Sequence, residues 1–330
     1  PAAAPAAAEA PKPGPMDLFA AFSRVQLAGA GFTRHEAEVD GGRFVWWEKG
    51  SGPTVVLLHG VTDQAGGWFQ VAPGLAESHR VLLVDLPGHG ESDPKTGPLP
   101  MSLVVTRFEA WLAEDAGVEN EAAKSILVGN SMGAWVAMLV AQRHPELVSR
   151  VVAINGGPLR ADTGDLDLLP QDREEARRLM AAIRDPASPP TPDVVLDDLV
   201  RRAPRAQVAR MLEAREDLES FFLEGRLGEI ETPIEIVWGE SDRYMGRDYP
   251  DRLLAGLPHA HLTLVPKCGH VPQIECPATL APILVEVLAP TEPANAPADP
   301  SESASPMPPA DSASPTTAPS TTASTLGGLL

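Results

Sequence analysis

The sequence predicts an α/β fold with a mainly parallel central sheet flanked by helices, and three observations lead to this expectation. Short apolar runs alternate with helical patterns along most of the 330 residues. Several runs are continuously apolar, as strands buried on both faces of a sheet are. Glycine, aspartate and histidine follow the runs at their carboxyl ends. Parallel sheets bind ligands outside those ends, so we expect a site there.

Seven segments are the strand candidates. In chain order they read FVWWEKG, TVVLLHG, RVLLVDLPGHG, SILVGNS, RVVAINGG, IEIVWGESD and LTLVPKCGH. The helical patterns between them imply right-handed crossovers. One stretch breaks the alternation, because residues 158–228 lack a strand pattern and are rich in Asp, Glu, Arg and Pro with helical patches. We expect this stretch to be a helical lid insertion.

Composition sets the limits of the folded part. Residues 1–15 are rich in Pro and Ala and cannot pack a core, which predicts a disordered tether. Residues 290–330 consist mainly of Pro, Ser, Thr and Ala, which predicts a disordered tail. Residues 16–289 are therefore expected to form one α/β domain that includes the lid insertion.

Charge and hydropathy exclude several classes of partner. The formal net charge is −19 and no stripe of Lys and Arg is present, so we expect no nucleic-acid partner. No apolar run approaches the roughly 18 residues that a membrane-spanning helix needs. The chain begins with Pro rather than Met, and together with its two low-complexity ends this slightly favours an exported or envelope-associated protein over a cytoplasmic one.

A serine lies between two glycines where the strand candidate SILVGNS is followed by a helical pattern. The stretch reads Gly129-Asn130-Ser131-Met132-Gly133. Gly-x-Ser-x-Gly in this setting is the nucleophile elbow, a strained turn that projects the serine hydroxyl above the sheet. The glycines are needed because side chains there would collide with neighbouring elements. The pattern therefore predicts Ser131 as a nucleophile, with an ordinary structural turn as the alternative.

A serine nucleophile needs a base, and the base needs an acid that orients it. In this architecture the chain order is serine, acid, histidine. Asp242 ends the strand candidate IEIVWGESD, and His270 ends LTLVPKCGH. Both lie at strand carboxyl ends, as Ser131 does, so we expect the three to converge. Weaker candidates for the acid are Asp162, Asp165 and Glu240.

An oxyanion hole requires two backbone N–H groups aimed at the developing charge. We expect these from Met132, which follows the nucleophile, and from Val61 in the loop after TVVLLHG. Trp68 and Phe69 follow that loop and could line an acyl pocket, with core packing as an equal alternative.

Other motifs predict no cofactor and no metal site. Cys268, His270 and Cys276 lack a fourth zinc ligand at suitable spacing. No glycine-rich phosphate-binding element follows a strand, so a nucleotide cofactor is not indicated. Pairing of the two cysteines with each other stays open.

Taken in order, the motifs resemble those of the α/β-hydrolase superfamily across residues ~30 to 289. The motifs are LLHG (57–60), DLPGHGES (85–92), GNSMGA (129–134), GESD (239–242) and CGHVPQIECP (268–277). The resemblance implies Ser131 as nucleophile, Asp242 as acid and His270 as base. GNSMG and CGH also resemble the carbon–carbon bond hydrolases of meta-cleavage products, and the same motifs occur in carboxylesterases and small lipases. Ala134 replaces a frequent glycine, and Val271 stands where the carbon–carbon branch usually has tryptophan.

The leading expectation is a serine hydrolase that cleaves a small-molecule carboxylic ester through an acyl-enzyme, as a carboxylesterase or lipase does. The first alternative is hydrolysis of a carbon–carbon bond in a vinylogous diketone by the same triad. The second is a ligand-binding module on the same fold that has no catalytic activity.

Overall fold

A computed structural model describes residues 13–115, 124–246 and 248–289 of the chain. The expected tail and all but the last three residues of the expected tether lie outside the described residues. The third of those residues, Pro15, already begins a helix. No described helix is long and apolar enough to cross a bilayer.

Eight strands form one sheet in the order β1-β2-β4-β3-β5-β6-β7-β8. Pairing is antiparallel between β1, β2 and β4, and parallel across the rest of the sheet. The strands are β1 Thr33–Val39, β2 Gly42–Lys49, β3 Thr54–Leu58, β4 Arg80–Asp85, β5 Ser125–Asn130, β6 Val148–Ile154, β7 Ile234–Gly239 and β8 His261–Val265. The predicted α/β fold with a mainly parallel sheet is confirmed.

All seven strand candidates form strands, and among the described residues β1 is the one strand that the pattern did not predict. Its sequence TRHEAEV is mostly polar and mostly exposed or half-buried. An edge strand of this kind needs no apolar run, because one side of it faces solvent.

Helices cover both faces of the sheet. They are α1 Pro15–Gly29, α2 Ala72–Leu75, α3 Met101–Asp115, α4 Met132–Arg143, α5 Arg173–Ile183, α6 Asp193–Arg202, α7 Gln207–Leu212, α8 Arg215–Glu219, α9 Tyr249–Gly256, α10 Pro272–Glu275 and α11 Pro277–Leu288. Four of them, α5 to α8, lie between β6 and β7 within 158–228, where all residues are described and none is in a strand. The function of this segment as a lid stays a prediction.

Two hydrophobic clusters lie on opposite faces of the sheet. In β3, Val56 and Leu58 belong to one cluster, while Val55 and Leu57 belong to the other. Successive side chains of a strand point to opposite faces, so this alternation places one core above the sheet and one below it. With apolar layers on both faces, the polar residues at the carboxyl ends of the strands meet at one edge.

Candidate active site

Ser131 lies on a sharp turn between β5 and α4, with a positive φ of 54°. A non-glycine residue adopts this conformation only where the surroundings impose it. A Cβ on Gly129 would lie 2.3 Å from the carbonyl carbon of Gly133, and a Cβ on Gly133 would lie 2.3 Å from the Leu58 carbonyl oxygen. The two glycines are therefore needed for β5, β3 and α4 to approach closely enough to form the turn.

The structure brings the three predicted triad residues together. His270 Nε2 lies 3.0 Å from Ser131 Oγ, and His270 Nδ1 lies 2.8 Å from Asp242 Oδ2. Only 6% of the His270 side chain and none of the Asp242 side chain is exposed. These distances allow the base to accept the serine proton while the acid orients the imidazole. Among described residues, the carboxylate bonded to His270 is that of Asp242, not that of Asp162, Asp165 or Glu240.

The buried carboxylate of Asp242 has four hydrogen-bond donors. Oδ1 accepts from the backbone N–H groups of Tyr244 and Met245, at 2.9 and 3.2 Å. Oδ2 accepts from His270 and from Asn155 Nδ2, the latter at 2.8 Å. Burial raises the pKa of Asp242, but the charge of His270 and these hydrogen bonds outweigh it, so the pKa is lowered overall. Asp242 therefore stays ionised although its side chain is fully buried.

Asn155 was not predicted. It follows β6 with a φ of 45°, a conformation that asparagine tolerates better than most residues. Its Oδ1 accepts from Gly239 N–H at 2.9 Å while its amide donates to Asp242. Asn155 thus links the ends of β6 and β7. It lies in the strand candidate RVVAINGG, so the rule that polar residues at strand ends form the site could have found it.

Asn130, immediately before the serine, holds the backbone of the histidine loop. Its Nδ2 donates to the carbonyl oxygens of His270 and Ile154, at 2.9 and 3.2 Å. Gln273 Nε2 donates to Asn130 Oδ1 at 3.0 Å, and both amide side chains are buried. No pattern in the sequence predicted these bonds, and those to His270 and from Gln273 join residues 140 and 143 positions apart.

The loop after β3 passes close to Ser131. A Cβ on Gly60 would lie 3.2 Å from Ser131 Cβ. His59 shapes this loop, since its Nδ1 is 2.8 Å from Gly60 O and its Nε2 accepts from Leu86 N–H at 3.1 Å. Neither the Val61 nor the Met132 N–H donates a hydrogen bond to another described residue. This geometry leaves both amides free for an oxyanion, and their function in the hole stays a prediction.

Trp68 and Phe69 both pack in apolar surroundings. Trp68 is fully buried in the cluster that contains Val55 and Leu57, on the face of the sheet opposite the cluster of Met132. Phe69 packs edge-on against Phe19 and Phe22 of α1. The placement favours the core-packing alternative over the acyl pocket, because both rings are occupied in apolar contacts.

The two cysteines form a disulfide that brackets the histidine. Cys268 and Cys276 are bonded across a separation of eight residues, with Cα atoms 6.0 Å apart. This settles the pairing that the sequence left open. The bond closes a short loop that carries His270.

Two buried histidines, one of them in the loop after β3, lie next to each other. The rings of His59 and His89 are 5.1 Å apart. Burial lowers the pKa of His59 to about 4. Burial and the charge that His59 would carry lower the pKa of His89 to about 3. Both rings are therefore neutral at pH 7, and His89 Nδ1 contacts Pro87 O at 3.0 Å.

The strand order, the elbow and the serine–histidine–aspartate contacts define an α/β hydrolase. The sequence model described as the alpha/beta hydrolase family matches residues 55–283. The chain belongs to this family and is an enzymatic hydrolase.

Two curated relatives and one solved structure illustrate the likeness. A 2-hydroxy-6-oxononadienedioate/2-hydroxy-6-oxononatrienedioate hydrolase of Cupriavidus pinatubonensis is 32% identical over 67% of this chain and 82% of its own. A 2-hydroxy-6-oxo-6-phenylhexa-2,4-dienoate hydrolase of Burkholderia cepacia is 29% identical over 69% of this chain and 85% of its own. A solved membrane phospholipase A superposes with a TM-score of 0.68 at 28% identity, over 82% of this chain and 90% of its own.

The leading expectation from the sequence, cleavage of a carboxylic ester by a carboxylesterase or lipase, is wrong. The curated relatives are named for hydrolysis of 2-hydroxy-6-oxo acids and not of esters. The error has a physical origin, because the elbow and triad that the pattern predicts are the same for both reactions and do not distinguish their substrates.

Replacing both cysteines by alanine should lower the free energy of unfolding by roughly 2–3 kcal/mol, because the unfolded chain gains the entropy of an open loop. Urea unfolding of Cys268→Ala/Cys276→Ala measures this. A thiol reductant should destabilise the wild type by a similar amount and leave the double variant unchanged. An unchanged midpoint in the double variant would contradict the prediction.

The buried neutral histidines should destabilise the fold in acid. In the unfolded chain a histidine binds a proton near pH 6.5, whereas His89 in the folded protein binds one only near pH 3. Between these pH values the unfolded state binds more protons than the folded state. The free energy of unfolding is therefore at its full value above pH 6.5 and decreases as the pH falls. Between pH 7 and pH 5 the free energy of unfolding of the wild type should decrease by about 2 kcal/mol more than that of His89→Phe.

Urea unfolding at the two pH values measures this difference. His259→Gln is the matched control, since that side chain is exposed. Its loss in acid should equal that of the wild type. Equal losses in the wild type and His89→Phe would refute the prediction.

Proposed function

We propose that this enzyme hydrolyses a carbon–carbon bond in a 2-hydroxy-6-oxo dienoic acid. The observation that carries the proposal is the chemistry of the substrates for which the two relatives are named. Those acids contain hydroxyl, oxo and carboxylate groups but neither an ester nor an amide. A hydrolase that acts on such a molecule has to break a bond between carbons, beside the 6-oxo group.

The triad geometry supplies the first step. His270 Nε2, 3.0 Å from Ser131 Oγ, accepts the hydroxyl proton as the oxygen attacks the carbon of the 6-oxo group. The Val61 and Met132 N–H groups stabilise the resulting oxyanion. Asp242 stabilises the imidazolium through Nδ1.

Collapse of the oxyanion then breaks the carbon–carbon bond. The electron pair leaves on the carbon next to the former ketone. A carbanion there is a reasonable leaving group only when the 2-hydroxy dienoate is in its 2-oxo form, since the charge then spreads through a double bond to the 2-oxo oxygen. The proton on His270 is transferred to this dienolate. The remaining acyl group is an ester of Ser131.

Water completes the reaction. His270, now neutral, removes a proton from a water molecule that attacks the acyl-enzyme. The proton returns to Ser131 as the carboxylic acid leaves. The net change is addition of one water across the carbon–carbon bond.

We further propose that residues 158–228 form the lid that selects the substrate. The segment lies between β6 and β7, and its first helix, α5, ends beside the loops that carry Asp242 and His270. This position suits a cover over the carboxyl edge of the sheet.

The decisive measurement is turnover of 2-hydroxy-6-oxo-6-phenylhexa-2,4-dienoate beside p-nitrophenyl butyrate. The wild type should consume the dienoate faster, and benzoate should appear as a product. Ser131→Ala and His270→Ala should each lower kcat by roughly a thousandfold or more, and Asp242→Asn by less. Ser149→Ala is the matched control, because that serine is exposed at the far end of β6.

Three outcomes would contradict the proposal. Ester turnover without consumption of the dienoate would assign the triad to a different substrate. Full activity in Ser131→Ala would show that Ser131 is not the nucleophile. Tight, saturable binding of the dienoate without products would favour a binding module.

A further inference from the structure

The end of α5 is hydrogen-bonded to both loops that carry the acid and the base. We name residues 182–188, which comprise the last two residues of α5 and the five residues after it, the cap junction. His270 N–H donates to Ile183 O at 2.6 Å, and Arg243 N–H donates to Ala182 O at 3.0 Å. Ser241 Oγ also donates to Asp185 Oδ2. The cap junction therefore contacts the neighbours of Asp242 and the backbone of His270 itself.

One buried carboxylate joins the cap junction to the histidine loop. Glu275 Oε2 accepts from Gly269 N–H at 2.6 Å. Its Oε1 accepts from Asp185 N–H at 2.9 Å and from Ser188 Oγ at 2.6 Å. Only 7% of the Glu275 side chain is exposed, and Arg184 Nε lies 3.7 Å from Oε1. Both oxygens of Glu275 thus accept hydrogen bonds, Oε2 from the histidine loop and Oε1 from the cap junction.

The backbone leaves little room for this contact to shift. A Cβ on Gly269 would lie 2.1 Å from Ile183 O and 2.9 Å from Glu275 Oε2, so the loop and the cap junction pack backbone to backbone. The disulfide closes the same loop one residue before Gly269 and one residue after Glu275. On the far side, Asn130 holds the His270 carbonyl.

We propose that Glu275 is a positioning residue that sets the place of His270 through Gly269 and fastens the histidine loop to the cap junction. It touches no reacting atom in this arrangement. The inference rests on the proposed function of His270 as the base. It adds that the position of the helical insertion and the alignment of the triad are coupled, with Glu275 as one of the links between them.

A glutamine at this position cannot replace the carboxylate. Both oxygens of Glu275 accept hydrogen bonds, whereas an amide has one acceptor and a donor NH₂ group. In Glu275→Gln the NH₂ group would face an N–H donor, either Gly269 or Asp185. One of the two links is then lost, and a displacement of about 1 Å at the base costs up to ~100-fold in rate.

The test uses the rate at which a fluorophosphonate labels Ser131, because this reaction needs the triad but not the physiological substrate. Glu275→Gln should lower the labelling rate at least tenfold. Ser188→Ala, which removes one of the three donors, should lower it two- to fivefold. Glu286→Gln, an exposed carboxylate on α11, should leave it unchanged. With a substrate, Glu275→Gln should lower kcat far more than it changes KM.

Circular dichroism and thermal unfolding of each variant give the folded fraction. Slow labelling in fully folded Glu275→Gln supports the proposal. The proposal is overturned if that variant is labelled at the wild-type rate. It is also overturned if the decrease in labelling rate equals the decrease in the folded fraction. Should Glu275→Gln fail to fold, Ser188→Ala decides, and a wild-type labelling rate in that variant overturns the proposal.

The result is independent of the proposed reaction. A wild type that labels but does not consume the dienoate would refute carbon–carbon hydrolysis, and the labelling rates of the variants would still test Glu275.

Discussion

Simultaneous bonding of His270 to Ser131 and Asp242 is the constraint on which this site depends. Three loops, after β5, β7 and β8, have to meet at one edge of the sheet within hydrogen-bond distance. Parallel strands make that possible because their carboxyl ends all lie at that edge. The strained turn at Ser131 is stable only because β3, β5 and α4 pack closely through Gly129 and Gly133.

Two kinds of buried polar group occur in and near this contact, and they differ in charge although both are deprotonated. Asp242 stays ionised because four donors replace the water it has lost. His59 and His89 stay neutral because burial lowers their pKa. A buried charge is tolerable only when its hydrogen bonds are complete, which explains why Asn155 is bonded to the acid and to the end of β7 at once.

Hydrogen bonds to a buried carboxylate also connect the helical insertion to the loops of the site. The segment 182–188 supplies backbone oxygens to His270 and Arg243, and Glu275 fastens it to the loop closed by the disulfide. Substrate choice and triad geometry would then not be separate properties. A change in the insertion would be transmitted to the base through a few hydrogen bonds rather than through the core.

The sequence by itself determined the seven strand candidates, the elbow at Ser131 and the two strand-end partners Asp242 and His270, because apolar runs and glycine spacing are local signals. It could not reveal β1, whose edge position makes an apolar run unnecessary. It ranked esters first, since a triad alone does not distinguish an ester from a ketone. Only the tertiary structure decided that Trp68 belongs to the core. It also decided that Asn130 contacts His270, that Asn155 contacts Asp242, and that Glu275 contacts residues 185 and 188. Those contacts join residues up to 140 positions apart, and no local pattern encodes which distant side chains the fold brings within hydrogen-bond distance.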